Sequence, residues 1–595
     1  MATSASLLLS CTPSSACLRQ RERSHRRDVA PFRVSCRKGS GEPRQGAGKP
    51  RPESGAPLLD RRDMIIGLGG LYGAAAGPMA LANPIVPPDL TKCKTAEAPT
   101  LDGKCCPPYT GTETIVDYDF PATAIRVRRA AHHVIDDEDY MAKYREAVRK
   151  MKELPADHPW NYYQQANVHC QYCNDAYDQQ GTTDVPVQVH YSWIFLPWHR
   201  YYLHFYERIL GKLIGDDTFT IPFWNFDNPA GMTYPQIFQE LNSPLYDPER
   251  DQAHVKPDVL MDLKYTYGKT AGSGFVGQEL INSNLDYIKK TFDNSLPLPE
   301  LFMGEQLRAG ELKENVSSGQ LEVIHNSVHM WVGPPETTYH VNMGNFSTAA
   351  RDSTFFSLHC NVDRLWDIYR HLRGNRLEFN DPDWLDSTFL FIDENERLVR
   401  VKLGDCVDAN RLWYMYEQVS LPWLGKLPKQ KKSETTDKAT TQLSLTRVGE
   451  FGSAPQKLDP NTPLRVVVSR PKKSRKKSEK EEKLEVLTIK DIEVSLSEAS
   501  RFDVYIATPY GDLAGPDFGE FAGSFVRLQH MMGDKLLKKM VKKTKLKLGL
   551  NKLLEDIEGA EDAEKLVVTL VPRSGDVTVG GVNIKLVETD TSTTF

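Results

Sequence analysis

Six histidines of this 595-residue chain fall into two trios by spacing, His169, His190 and His199, then His325, His329 and His359. Imidazole nitrogens gathered in threes are a metal-binding set. In the second trio, HNSVH sets His325 and His329 four residues apart, one helical turn, so both rings leave the same face. The third ring comes from STFFSLHCNVDRLWDIYRHLRG, where Phe355, His359, Val362, Trp366 and Tyr369 recur at three- and four-residue steps before the stop signal Gly374. That spacing predicts a helix with His359 on its apolar face. Three neutral imidazoles per metal, with no carboxylate or thiolate, leave each ion short of ligands and open toward its neighbour. The other histidines, His132, His133, His158, His204, His254, His340, His371 and His530, lack partners at ligand spacing.

Further helices must hold these rings in place. DDEDYMAKYREAVRKMKEL opens with acids, carries Tyr140, Tyr144, Val148 and Met151 on one stripe and stops before Pro155. PWHRYYLHFYERILGKLIG opens at Pro197, buries Tyr202, Phe205, Ile209 and Leu213, and ends at Gly215, which puts His199 in its first turn. With the segment before His169 these predict a mainly α domain around a central four-helix bundle, whose facing helices each offer imidazoles.

Charge and cysteine usage give the surroundings. Residues 1–82 hold 13 Lys or Arg against 6 Asp or Glu, and the remainder holds 61 against 73, a net charge of −12. An acidic body excludes a general nucleic-acid binder, and a basic front reads as an address label. Residues 1–60 are rich in Ser, Ala and Arg, as in an organelle transit peptide. In residues 61–82, Arg61 and Arg62 precede a glycine-diluted uncharged run that ends at Ala80-Leu81-Ala82, a removable twin-arginine signal rather than a stable membrane anchor. The pair points through the chloroplast import and twin-arginine translocation machinery to the thylakoid lumen. Seven cysteines follow the leader. Adjacent Cys105 and Cys106 cannot easily pair with each other, so each needs a distant partner, with Cys93 and Cys170 as candidates. Cys173 lies close to the first trio, and Cys360 and Cys406 read as reduced core residues.

The strings HCQYC, HYSWIFLPWHRYYL, HNSVHMW, MGNFSTAARDSTFF and HCNVDRLW, with RFDV at Arg501–Val504 and GPDFGEFAGSFV from Gly515, resemble plant polyphenol oxidase, the tyrosinase and catechol oxidase class with coupled binuclear copper. The resemblance runs from about Cys93 to the C-terminus. It implies two copper ions, one on His169, His190 and His199 and the other on His325, His329 and His359. It also implies disulfides Cys93–Cys106 and Cys105–Cys170, a thioether between Cys173 and His190, and a gating aromatic at Phe346 over the second site. The implied reaction is oxidation of o-diphenols to o-quinones with reduction of dioxygen to water, with weak monophenol hydroxylation. Small phenols and dioxygen are then the partners.

The chain departs from the family pattern in three places. The glutamate usual four residues before His325 is replaced by Leu321, with Glu322 one step later, about 100° round a helix. Asn326 matches the polar residue that the family associates with monophenol deprotonation. Leu358 stands where a histidine commonly precedes His359, which removes a supporting donor, and Ser353 replaces a proline at a helix start, a change either residue type suits. The resemblance assigns residues 83–424 to the dicopper domain. Residues 425–462 are polar and Lys-, Thr- and Ser-rich, a linker open to an activating protease. In residues 463–595, RVVV, EVLTI, RFDVYIA, KLVVTLV and VNIKLV predict a small β-sandwich-like domain, which in the family shields the copper pocket and keeps the enzyme latent. The charged run Lys472–Lys483 reads as a solvated loop, and KLLKKMVKKTKLKLGLNKLLEDI fits either helix or strand. Rival readings are a haemocyanin-like dioxygen carrier, a dinuclear zinc hydrolase, which would favour bridging carboxylates, and a storage protein.

Overall fold

The computed structural model describes residues 83–94, 105–108, 111–268, 272–428, 448–509, 519–529 and 541–589. The expected leader over 1–82 and most of the expected linker, 429–447, lie outside the described residues. Helix α1 (Glu138–Glu153) is capped by the Asp137 side chain, which accepts from the Tyr140 N–H, and buries Met141, Tyr144, Val148 and Met151. Helix α2 (Tyr162–Cys173) starts the same way at Asn161. Helix α3 (Phe195–Ile214) begins two residues before the expected Pro197, so His199 lies past the first turn rather than in it. Proline costs nothing there, because the first four N–H groups of a helix have no partner within it. Gly215, at φ 68°, ends the helix in the left-handed region.

Helix α4 (Gly277–Ser295) was not among the expected elements. It buries Leu280, Leu285, Ile288 and Phe292, and Phe292 packs on Trp423 at 4.3 Å between ring centroids. All thirteen residues of α5 (Gln320–Val332) are buried. A helix covered all round has no solvent stripe. Helix α6 (Thr354–Leu372) buries Phe355, His359, Val362, Trp366 and Tyr369 together, as the periodicity requires, and Gly374 follows at φ 69°. Ser353 immediately precedes it, its hydroxyl 3.2 Å from Tyr162 Oη.

Helices α3 and α6 are locked by buried charge. Arg200 Nε donates to Asp363 Oδ1 at 2.5 Å, and Asp363 Oδ2 also accepts from the Tyr414 and Tyr416 hydroxyls. Two turns along α3, Glu207 takes Arg126 at 2.6 Å and Arg128 at 2.9 Å. Such pairs fix register more than they add stability. Arg126–Arg128 pairs in parallel with Tyr414–Tyr416, so this network ties the N-terminal arm and the end of the helical domain to the bundle. Both implied disulfides, Cys93–Cys106 and Cys105–Cys170, are present and staple the same arm.

The C-terminal part is a two-sheet sandwich. Its strands are β1 (Leu464–Ser469), β2 (Lys483–Ser495), β3 (Ser500–Ala507), β4 (Glu520–Arg527), β5 (Val541–Gly549), β6 (Lys565–Ser574), β7 (Val577–Val579) and β8 (Gly581–Glu588). One sheet has the order β4-β3-β6-β1, and in the other β2 pairs with β5, β7 and β8. The ambiguous lysine-rich segment resolves into strand over 541–549, where Leu546 and Leu548 alternate with lysines, and a short helix, Asn551–Asp556; residues 535–540 lie outside the described residues. Within the expected solvated loop, Lys477–Glu482 is a short helix with no buried residue, but Arg475 is buried and bonds Asn551 Oδ1 at 3.1 Å. Among the described residues no helix is long and apolar enough to cross a membrane.

The two halves share a core through β3, which is buried along its whole length. Phe502, Val504 and Ile506 point into the sandwich, while Tyr505 joins Phe521, Val526, Leu528 and Val571 in the core of the helical domain. The period of two thus gives this strand one face for each half.

Candidate metal centre

Helix α2 supplies His169, the segment before α3 supplies His190, α3 supplies His199, α5 supplies His325 and His329, and α6 supplies His359. All six rings are buried. In the second trio His325 Nε2 lies 2.8 Å from His329 Nε2 and 3.0 Å from His359 Nε2. In the first, ring centroids are 5.0 to 5.5 Å apart, and the Nε2 atoms of His169, His190 and His199 have no hydrogen-bonding partner in the protein among the described residues. The trios face each other: His199 stacks on His359 at 4.4 Å and 11°, and His190 on His325 at 6.2 Å.

Backbone carbonyls set the tautomers. Nδ1 of His169, His199 and His329 lies 2.9, 2.8 and 2.7 Å from the carbonyls of Phe346, Phe195 and Met343. A carbonyl can only accept, so each Nδ1 carries the proton and each Nε2 keeps a lone pair for a metal. Burial drives all six rings below the usual imidazole range, His199 to about 3 and His329 to about 4. They are therefore neutral ligands at neutral pH. A single loop serves both trios, because Met343 holds His329 and Phe346 holds His169. His359 Nδ1 has no protein partner among the described residues, and its ring is held by packing on Phe355 at 4.1 Å. Leu358, fully buried, offers it no donor.

Cys173 also lies in this cluster, its sulfur within 4.8 Å of a ring nitrogen of His169 and of His190. Burial raises its thiol well above the usual range, which keeps it protonated. His199, with its unpartnered Nε2 aimed among the other rings, is the better third ligand than a neutral thiol.

The remaining expected residues border the rings. The Phe346 ring is 4.2 Å from that of His190, against 6.3 Å from His169 and 6.4 Å from His329. It borders both trios but leans on the first, where the resemblance implied the second, because its own carbonyl is pinned to His169. Asn326 Oδ1 lies 3.1 Å from His325 Nδ1, and its Nδ2 donates to the Val526 carbonyl of β4 at 3.3 Å. Both oxygens of Glu322 accept from the Tyr191 N–H at 2.9 Å, and burial pushes this carboxyl up to about 8. Tyr191 sits at φ 67°, so Glu322 fixes an unfavourable backbone turn beside His190. The one-residue shift thus aims Glu322 at the peptide that presents His190. The supporting acceptors at Phe195, Met343 and Phe346 escape sequence reasoning because a carbonyl leaves no side-chain signature. Phe355 was already on the apolar face that spacing gave to His359, whereas the β4 contacts, a carbonyl to Asn326 and a guanidinium over Tyr191, leave no such signal.

Three family models match: the common central domain of tyrosinase over residues 159–372, the polyphenol oxidase middle domain over 378–429, and the chloroplastic polyphenol oxidase C-terminal domain over 454–586. A chloroplastic polyphenol oxidase of Vitis vinifera is 44% identical, over 95% of this chain and 93% of its own. Among solved structures, a latent aurone synthase (polyphenol oxidase) is 35% identical, with a TM-score of 0.75, over 85% of this chain and 99% of its own. An active aurone synthase, described with a copper B site, is 37% identical, with a TM-score of 0.52, over 56% of this chain and 100% of its own.

Proposed function

The chain belongs to the family of chloroplast polyphenol oxidases, and from that membership we propose that it oxidises o-diphenols to o-quinones with reduction of dioxygen to water, with weak monophenol hydroxylation, as a latent proenzyme. The observation that carries this reading is the facing of the two trios, with His199 stacked on His359 at 4.4 Å. Two coppers fit the residues present: six neutral imidazoles, unpartnered Nε2 atoms in the first trio, and neither thiolate nor carboxylate among the donors. His169, His190 and His199 would hold one, and His325, His329 and His359 the other. Bound there, the copper pair would supply the redox couple between phenol and dioxygen. The chain's own part is to hold the imidazoles by their Nδ1 protons and to present Phe346 and Phe355 as apolar walls for a flat ring. Asn326, held against His325, is the residue we assign to steering a monophenol. Cys173 is the candidate for a thioether to His190, a link in which the S–H and one ring C–H bond would be replaced by a C–S bond, a two-electron oxidation with dioxygen as the acceptor of both hydrogens.

Latency is supported by the position of β4, whose Val526 carbonyl takes Asn326 and whose Arg527 guanidinium lies 4.7 Å over the Tyr191 ring. It is supported too by the aurone synthase pair, whose latent form spans far more of this chain than its active form. Activation would follow a cut in residues 425–462 between the dicopper domain, 83–424, and the shielding domain, 463–595. We assign 1–60 to a chloroplast transit peptide and 61–82 to a twin-arginine signal, with the thylakoid lumen as destination, where both disulfides would persist.

A haemocyanin-like dioxygen carrier is the second reading, favoured by the burial of all six rings. Oxygen uptake by copper-loaded protein, before and after limited proteolysis, separates the two. Uptake with catechol that rises after cleavage, and a slower uptake with tyramine, is expected. Reversible dioxygen binding without uptake of either phenol after cleavage would overturn the oxidase reading.

A further inference from the structure

One side chain outside the ligand set touches both residues of the candidate thioether. Gln188 is buried, and its Nε2 donates to the Cys173 carbonyl at 2.8 Å. Its Oε1 accepts from the His190 N–H at 3.1 Å and lies 3.3 Å from His190 Nδ1. The second amide proton goes to Asp175 Oδ1 at 3.3 Å, and that oxygen also takes the buried Lys313 ammonium at 2.6 Å. A carboxamide has two donors and two acceptor lone pairs, so this one is fully used. Its orientation is unambiguous. Turned over, it would set oxygen against a carbonyl and a carboxylate, and N–H against N–H, so Asp175, held by Lys313, fixes which end of Gln188 meets His190.

The backbone brings the two partners together at this point. Cys173 is the last residue of α2, where helix carbonyls have no partner within the helix, so Gln188 caps that end. On either side of Gln188, the Val187 and Val189 N–H groups donate to the Tyr177 and Tyr172 carbonyls at 2.9 and 3.3 Å. The segment that carries His190 is thereby laid along the end of the helix that carries Cys173, with the sulfur within 4.8 Å of a His190 ring nitrogen. At His190 Nδ1 the carboxamide takes the part that backbone carbonyls take at His169, His199 and His329, and so leaves Nε2 its lone pair. A bond between two held groups forms fast only when they are held well, since a misplacement of about 1 Å can cost on the order of a hundredfold in rate.

Resting on the thioether reading of Cys173 and His190, we propose that Gln188 is a positioning residue for that cross-link, its carboxamide holding the end of α2 and the His190 ring in the one geometry that sets sulfur against a ring carbon. In the step the Cys173 S–H and one His190 ring C–H bond are lost and a C–S bond forms. The two electrons and two protons released reduce dioxygen to hydrogen peroxide. The test gives saturating copper, in air, to the full chain made without copper, and follows the link by peptide mass spectrometry. In the wild-type chain the Cys173 peptide should become joined to that of His190, lighter by two hydrogens than the two together. Gln188→Met keeps the length of the side chain and removes its four hydrogen bonds, so the link should form about ten- to a hundredfold more slowly. At saturating copper, a weakened copper affinity alone would leave that rate unchanged. Asp175→Asn suits the same left-handed turn at φ 57° and loosens the carboxamide, so it should slow the link about threefold or more, the scale of one hydrogen bond. A wild-type rate in Gln188→Met, or in Asp175→Asn should Gln188→Met fail to fold, would overturn the positioning role and leave the thioether standing. A wild-type chain that forms no link would overturn the thioether reading and the role of Gln188 with it.

Discussion

The two histidine trios are built by different means. The second draws all its rings from two helices, and the four-residue step of α5 places His325 and His329 together without further help. The first draws on α2, a connecting segment and α3, and His190, in the connecting segment, depends on individually placed contacts: Gln188 Oε1 at 3.3 Å from its Nδ1, Phe346 against its ring, and Glu322 on the next peptide. The reverse holds for the outer supports. The second trio's helix is gripped by the C-terminal domain, through Asn326 to Val526 and through Ser327 to Arg501 at 3.1 Å. A loop ligand therefore needs local scaffolding, whereas a helical pair needs only its helix held.

The largest expected effect tests whether the trios are separate sites. His190→Ala and His329→Ala should each lower catechol oxidation more than about a hundredfold, beyond the range of supporting-residue changes. Each should also lower the copper content from two ions to one per chain by elemental analysis. Loss of both ions in either variant would mean that the trios form one cooperative site. Next comes the scaffold of the loop ligand. Glu322→Ala takes the acceptor from the Tyr191 N–H and frees a turn at φ 67°, so chelator titration should show copper retention at the first site falling about 10–100-fold, with the second site unchanged. Glu322→Gln, which keeps an acceptor, should recover most of it. An equal loss at the second site, whose own helix carries Glu322, would break the comparison.

That contrast also explains how much was legible in the sequence. The helical ligands were readable because α5 and α6 repeat on a helical period, and the strands of the sandwich because their apolar residues alternate or cluster. His190 was placed in its trio by its position along the chain between His169 and His199, since nothing periodic marks it, and the contacts that present it were not legible. The role of Glu322 depends on the fold bringing α5 under the connecting segment, a contact across 131 residues of sequence. Helix α4 was missed because Asn282, Ser283 and Asn284 interrupt its apolar pattern, although all but Asn282 are buried. The start of α3 was misplaced because proline was taken as its first residue rather than its third.

The third prediction concerns the grip on α5. Burial alone would raise Asp503, but Arg501, Arg573 and the Ser524 hydroxyl override it and hold the carboxyl at about 2, against an ordinary 3.8. Between those values the unfolded chain binds more protons than the folded one. The stabilisation is therefore complete above about pH 4 and lost as pH falls toward 2, on the order of 2 kcal/mol. Because Arg501 pairs with Asp503 and also reaches Ser327, acid should loosen the sandwich from α5 in that window. Limited proteolysis of the wild-type chain across the window should show the domain junction opening, and Asp503→Asn should flatten that pH dependence. A junction equally acid-sensitive in the variant would assign the effect to other carboxylates.

The smallest effect weighs the two kinds of support on one helix. Asn326 spends its carboxamide on His325 at 3.1 Å and on Val526 at 3.3 Å, both longer than a strong hydrogen bond. Asn326→Leu keeps the volume and removes both, so second-site copper retention should fall only about three- to tenfold, the scale of one or two neutral hydrogen bonds. Retention at the first site should not change, because Glu322 remains in place one turn earlier on the helix and its partner is Tyr191, not β4. A loss at the second site as large as that of Glu322→Ala at the first would mean that the helical pair is scaffolded as individually as the loop ligand, and the distinction between the trios would fall.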